Sequence, residues 1–389
     1  MREVSVIADH MISSLGFSTE EHLKALRQCK IGLKRVHDPL LYPNPVQVSL
    51  VNTARMEEQF TKVCDEWKNS TIPSSFTRLE KMLIITIHEA LRLSGLHHKN
   101  PKMIFVLSST KGNIELLEER YHIKFPHQRL FIWELAKVLG SFFKFHNQPV
   151  IISQACISGS VAIMHAARMI KSGQFDHALV AGGDIISEFV ISGFMSFQAL
   201  SSEPCKPFDQ SRNGLNLGEG AGTMILSTGL SRARPRVVVA GGATTNDANH
   251  ISGPSRTGEE LSLAIHRSIK EARLQSESID YISAHGTATS FNDEMESKAY
   301  ALSGLSGIPL NSYKGYWGHT LGAAGILESI AAIHSLMNNE LYPSPGFEIP
   351  GVPETVKVIR SHQKTNLHTC LKTASGFGGC NASLVFRKY

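Results

Sequence analysis

Three reactive side chains stand in glycine-rich settings: Cys156 in "SQACISGS", His285 in "AHGTATSFNDEMES" and His319 in "YKGYWGHTLGAAG". A fourth segment, "ASGFGGCNAS" near the C-terminus, has the same character. Glycine lets the backbone turn sharply and lets a ligand come close to the main chain. One thiol and two imidazoles suffice for acyl-thioester chemistry. An enzyme is the first reading.

Cys156 ends a short apolar strand and opens a helix marked by Ile157, Val161, Met164, Ala167 and Ile170, with Gly173 as its stop. At a helix N-terminus, free backbone N–H groups and the positive end of the dipole favour thiolate. The adjacent Ser-Gly-Ser lets the backbone approach a carbonyl, so the Cys156 amide can stabilise an oxyanion. Cys29, Cys64, Cys205, Cys370 and Cys380 lack this setting and read as small hydrophobes. His285 closes the strand "IDYISAH" and is followed by Gly286, Thr287 and Thr289, at the kind of strand end where α/β proteins place working side chains. Asp293 and Glu296, at the start of the next helix, read as its caps. His319 precedes "LGAAG", whose small residues allow close helix packing. Lys314 and Glu328 flank it and can form a buried pair that fixes the loop.

Cys156, His285 and His319 are of the types that bind zinc, but they lack the paired spacing of zinc ligands. No GxxxxGKS/T is present, and "GGATTN" and "GFGG" do not match GxGxxG, which argues against an NTPase or dinucleotide enzyme.

These residues need a scaffold. Strand-like runs fall at 4–8, 103–109, 149–153, 177–183, 222–227, 236–243, 279–285, 370–375 and 382–388. Helix-like stretches fall at 19–28, 76–94, 157–172, 258–273, 292–303 and 322–338. The mixture predicts an α/β protein with strands buried between helices. "DHALVAGGD" followed by "GEGAGTMILS" is echoed by "HTCLKTAS" followed by "GFGGCNASLVF", each reading as strand, glycine-rich turn, strand. Two copies of one α/β unit are expected, residues 1–230 and 231–389, joined through 226–236.

At 389 residues the chain can bury a large core or two fused halves. Hydrophobic residues make up 42% and charged residues 19%, which excludes a disordered chain. The net charge of +5 comes without a basic run, so nucleic acid is not suggested, although such a surface can attract an acidic partner. Six cysteines without a CxxC pair read as free thiols of a reducing compartment. The N-terminus is not a signal-peptide pattern, and no apolar run reaches membrane-spanning length, so a cytoplasmic location is expected.

Taken together, these motifs resemble the β-ketoacyl-acyl carrier protein synthases, the Cys-His-His decarboxylating condensing enzymes of the thiolase superfamily. The resemblance covers nearly the whole chain. "KPFDQSRNGLNLGEGAG" is similar to the family's mid-chain hairpin, and "AHGTATSFNDEMES", "YKGYWGHTLGAAGILES" and "GFGGCNASLVF" to its C-terminal signatures. It implies a thiolase-like fold of two fused α/β units in a layered α-β-α-β-α core. It implies that Cys156 takes an acyl chain from an acyl carrier protein. His285 and His319 would promote decarboxylation of malonyl-carrier protein, supported by Lys314 and Glu328. Phe377 is implied as the gating residue beside Gly376, its amide joining that of Cys156 in the oxyanion hole. Ile157, Thr287 and Thr289 are expected to bind substrate. No cofactor of the protein's own is implied, because the phosphopantetheine arm arrives on the carrier. A dimer is implied, either of two identical chains or with a chain-length-factor-like partner.

The chain departs from the family in several places. Gln154 and Ile157 give "QACISG" in place of TACASG, Ser375 replaces the first phenylalanine of SFGFGG, and Cys380 replaces a common threonine. Region 112–148 is short, and "SFND" is closer to polyketide and aryl polyene synthases. A non-catalytic chain-length-factor-like protein would typically lack the cysteine. A thiolase-type enzyme would replace one histidine, with Cys380 as its second cysteine.

Overall fold

The computed structural model describes residues 2–67, 75–121, 123–229, 235–249, 251 and 253–389. Its main sheet has eleven strands. In spatial order they are Lys357–Val358, Pro309–Asn311, Tyr281–Ser283, Thr369–Gly376, Cys380–Lys388, Val237–Asn246, Ser5–Ile12, Gly220–Ser227, His177–Asp184, Met103–Ser108 and Val150–Ile152.

The expected repetition is visible in the pairing. In the first half, Met103–Ser108 runs parallel to both Val150–Ile152 and His177–Asp184. His177–Asp184 then pairs antiparallel with Gly220–Ser227, which pairs antiparallel with Ser5–Ile12. In the second half, Tyr281–Ser283 runs parallel to Pro309–Asn311 and Thr369–Gly376. Thr369–Gly376, Cys380–Lys388 and Val237–Asn246 follow antiparallel. The halves meet where Ser5 and Val6 pair with Val238 and Val237. The junction expected at residues 230 and 231 lies outside the described residues.

Five layers result. Helix Arg78–Ser94 covers the outer face of the first half and Glu259–Glu271 that of the second. Between the halves lie Ser158–Lys171 and Ala324–Asn338, each packed on strands of both. Ala324–Asn338 is apolar on nearly every face, as a helix without a solvent side must be. The two central helices touch at their first turns. A Cβ on Gly159 would lie 2.8 Å from the Ile326 nitrogen, and one on Gly325 would lie 2.3 Å from the Ser160 nitrogen. Any other residue at either position would push the helix starts apart, and these starts carry the segments of Cys156 and His319.

Every expected strand and helix is present within a few residues. Apart from the four-residue Lys314–Trp317, three helices among the described residues were not expected: Thr53–Glu66, Ile132–Phe143 and Glu188–Ser196. The first buries only Met56 and Val63, too thin a stripe to stand out. The second lacks a side-chain N-cap and contains Gly140. The third is short and carries Gly193 and β-branched Val190 and Ile191, which weaken its helical signal.

Region 112–148 surrounds a buried charged cluster. Arg129 pairs with Glu80, which also accepts from Asn113, and Arg78 pairs with Glu219 at 2.7 Å. Glu115 lies among them with neither carboxyl oxygen hydrogen-bonded to a described residue. Burial, reinforced by the charges of Glu80, Glu219 and Glu118, pushes its carboxyl up to about 8. An acid raised in the folded state binds a proton that the unfolded chain has released. Stability from this group is therefore present below the ordinary carboxylate pKa and is lost as pH rises through about 8. Glu115→Gln is expected to remove that loss and to stabilise the protein by about 2 kcal/mol more on the alkaline side than on the acid side, the scale of one uncompensated buried polar group. Urea unfolding at two pH values checks it. Equal effects at both would exclude a titrating Glu115.

Candidate active site

The strand Val150–Ile152 delivers the chain to a tight turn in which Ala155 takes φ 44. A non-glycine residue there is strained by about 1–2 kcal/mol. Ser158 holds the turn: its hydroxyl donates to the Ala155 carbonyl at 2.6 Å and accepts from the Gln154 amide at 2.8 Å. Cys156 stands at the crest, one residue before the helix cap Ile157. The expected lowering of its thiol is not what the environment gives. Burial dominates and pushes the thiol up; Lys111, Lys314 and a backbone hydrogen bond from Phe377 oppose it.

His285 and His319 come together with nearly perpendicular rings, 5.2 Å between centroids. The ammonium of Lys314 donates to the His285 carbonyl at 2.6 Å and lies 3.2 Å from Nδ1. An ammonium has only protons to give, so His285 Nδ1 is the acceptor and Nε2 carries the hydrogen. The Leu321 amide donates to His319 Nδ1 at 3.3 Å, which assigns the same tautomer there. His319 Nε2 is buried with no hydrogen-bond partner among the described residues. Both imidazoles titrate well below the ordinary value, through burial first and then the Lys314 charge. At neutral pH they are uncharged, and each has one N–H to offer.

The expected Lys314–Glu328 pair is present at 2.7 Å, fully buried. Sequence reading missed its third member. Lys372 approaches the other Glu328 oxygen at 2.7 Å, and burial lowers its pKa. One carboxylate thus takes both lysines, one on each oxygen. The available signal was a lysine inside the otherwise uncharged strand "CLKTAS".

Asp293 and Glu296 do not cap their own helix, as was expected. Glu296 accepts the amides of His285 and Gly286 at 2.8 and 2.6 Å, and Asp293 those of Thr287 and Ala288 at 3.0 and 3.2 Å. They hold the loop that presents His285, because four consecutive amides at a strand end need acceptors.

Cys156, His285 and His319 all open onto one cavity of about 650 Å³. Thr287, Thr289, Gly376 and Phe377 also line it, and the Thr287 and Thr289 hydroxyls hydrogen-bond at 2.9 Å. Phe377 packs on Phe194 and Phe197, 5.6 and 5.1 Å between centroids. Ser375, in place of an aromatic, ties the hairpin by donating to Asn381 at 2.7 Å. Ile157 is not on the cavity wall, contrary to expectation. Its position at the helix cap turns it inward, into a small cluster with Ala374, Cys380 and Ala382. Cys380 is buried there and its thiol is pushed up to about 12, unlike a second nucleophile.

Residues 1–231 match the model of the beta-ketoacyl synthase N-terminal domain, and residues 236–348 that of its C-terminal domain. A putative mitochondrial 3-oxoacyl-[acyl-carrier-protein] synthase of Schizosaccharomyces pombe is 32% identical over 258 residues, a match spanning 60% of this chain and only 60% of that relative's length. 3-Oxoacyl-[acyl-carrier-protein] synthase 2 of Vibrio cholerae is 29% identical over 100% of this chain and 99% of its own. A ketosynthase of Xenorhabdus doucetiae (ApeO), solved in complex with its chain length factor (ApeC), shares the fold with a TM-score of 0.86 at 21% identity, covering 100% of this chain and 98% of that one. With the two family models together matching residues 1–231 and 236–348, the chain belongs to the beta-ketoacyl synthase family.

Proposed function

We propose that this protein carries out decarboxylative Claisen condensation, joining an acyl chain held on Cys156 to malonyl-acyl carrier protein. The observation that carries this reading is the pair of neutral imidazoles, each with Nδ1 engaged, on the same cavity as a thiol at a strained turn. In the first step the Cys156 thiolate attacks the acyl thioester and expels the carrier thiolate, which takes up the proton that Cys156 gave up. The Cys156 and Phe377 amides serve the oxyanion. Malonyl-carrier protein then enters and loses carbon dioxide, and the enolate oxygen receives hydrogen bonds from His285 Nε2 and His319 Nε2. The carbanion attacks acyl-Cys156, the thiolate leaves, and a β-ketoacyl-carrier protein is released. Lys314, with Glu328, keeps His285 in the donating tautomer. Thr287 and Thr289 meet the phosphopantetheine arm, which the carrier brings, so the protein needs no cofactor of its own.

The pathway is type II fatty acid, polyketide or aryl polyene synthesis, in the cytoplasm, with an acyl carrier protein as obligatory partner. The active form is a dimer, homomeric or formed with a chain-length-factor-like subunit, and each chain consists of two ketosynthase halves, 1–230 and 231–389. Incubation with a series of acyl-carrier proteins, followed by mass analysis, tests the reading. The peptide containing Cys156 is expected to gain the acyl mass. No adduct with any acyl chain, even with a partner subunit added, would favour a non-catalytic chain-length-factor-like protein.

A further inference from the structure

The inner end of the cavity carries the condensation; its outer end has no part in that chemistry. Exposure marks the direction. Cys156, His285 and His319 are buried, whereas Phe197 and Phe291 are half-exposed and Arg256 is exposed, all on one wall. Among the described residues that line the cavity, Arg256 is the only Arg or Lys, and none is Asp or Glu. A cation at the mouth therefore meets no carboxylate on that wall.

Arg256 is held in place from two sides. Its guanidinium carbon lies over the Phe291 ring, 5.3 Å from the centroid. Its carbonyl accepts from Lys298 Nζ at 2.7 Å, and Lys298 stands on Ser290–Leu302, the helix that also carries Phe291. One residue earlier, the Ser255 amide donates to Asp247 at 3.1 Å, and the Asp247 amide donates to the Gly379 carbonyl at 2.8 Å, two residues beyond Phe377. The guanidinium itself makes no hydrogen bond or ion pair with a described residue. Resting on a ring consumes none of its N–H donors, so they remain for an anion.

We propose that Arg256 binds the phosphodiester of the carrier's pantetheine arm at the mouth of the cavity, and so sets the KM for carrier-bound substrates. The arm has a thioester at one end, a phosphate at the other and an uncharged chain between. The wall follows the same order: thiol and imidazoles innermost, buried Thr287 and half-buried Thr289 next, and the guanidinium outside. The guanidinium fork matches two phosphate oxygens. This rests on the condensation reading.

The test compares acylation of Cys156 by an acyl-pantetheine with and without its terminal phosphate, followed by mass on the Cys156 peptide of the full chain. The parent is expected to show a kcat/KM about tenfold higher for the phosphorylated donor, carried in KM. Arg256→Gln should bring this ratio close to one, and Arg256→Lys, which keeps the charge, should retain most of it. A parent that does not distinguish the two donors overturns the proposal, as does a Lys variant that falls as far as Gln. A residue that merely held the loop would change both donors alike and leave the Gln ratio at the parent value, which also overturns it. Acyl-coenzyme A presents the same phosphate within a diphosphate. A loss in the Gln variant with acyl-coenzyme A but not with acyl-carrier protein would overturn the assignment to the carrier. Failure of every donor to acylate Cys156 in the parent would instead overturn the condensation reading.

Discussion

Cys156→Ala is expected to abolish condensation, by on the order of 10⁴-fold or more, while decarboxylation of malonyl-carrier protein persists or rises. The two activities separate because they use different atoms. Condensation needs a sulfur to carry the acyl chain. Decarboxylation needs only donors for the enolate oxygen, and neither histidine relies on Cys156 for its tautomer or charge: Lys314 and the Leu321 amide set them. Carbon dioxide release and β-ketoacyl product are measured in parallel. A variant that condensed normally would remove Cys156 from its role.

The histidine substitutions should give the mirror image. His285→Ala and His319→Ala are each expected to leave acylation of Cys156 intact and to reduce carbon–carbon bond formation by about 10²–10³-fold, the loss typical of one oxyanion donor. Loss of acylation in both would contradict the assignment. The same two groups set a pH limb. Since burial holds both imidazoles neutral to well below their ordinary value, condensation should not decline at the usual histidine pKa, only at lower pH. The fold itself loses stability on that side. Below the ordinary imidazole pKa the unfolded chain takes up protons that the native histidines refuse.

The grouping of Cys156, His285 and His319 around one cavity was legible because each sits beside residues that bend or pack closely. Gly325 is the clearest case: the small residues of "LGAAG" pointed to close helix packing, and a Cβ on Gly325 would lie 2.3 Å from the Ser160 nitrogen. Alternating strands and helices were legible for the same reason that the sheet is buried, since both faces must be apolar. What could not be read was the direction in which a side chain turns. Ile157 beside Cys156 faces the interior rather than the cavity, and Asp293 and Glu296 serve loop amides rather than helix amides. Lys372 escaped notice because its partner Glu328 is far away in sequence. Cys156 was expected to be acidified by its helix, but a chemical environment of this kind is a sum over neighbours, and burial pushes the thiol up.

The seam between the halves governs how the chain can assemble. Strand Ser5–Ile12 lies in the interior of the sheet, bonded to Ser227 on one side and to Val238 on the other. During synthesis this first strand emerges with neither neighbour in existence. It must wait, apolar and unpaired, until both distant segments have left the ribosome. Closing so large a loop is slow, and an early strand kept waiting is exposed to wrong pairing. Loss of Ser5–Ile12 would then remove not a fringe but the strip that joins the two halves.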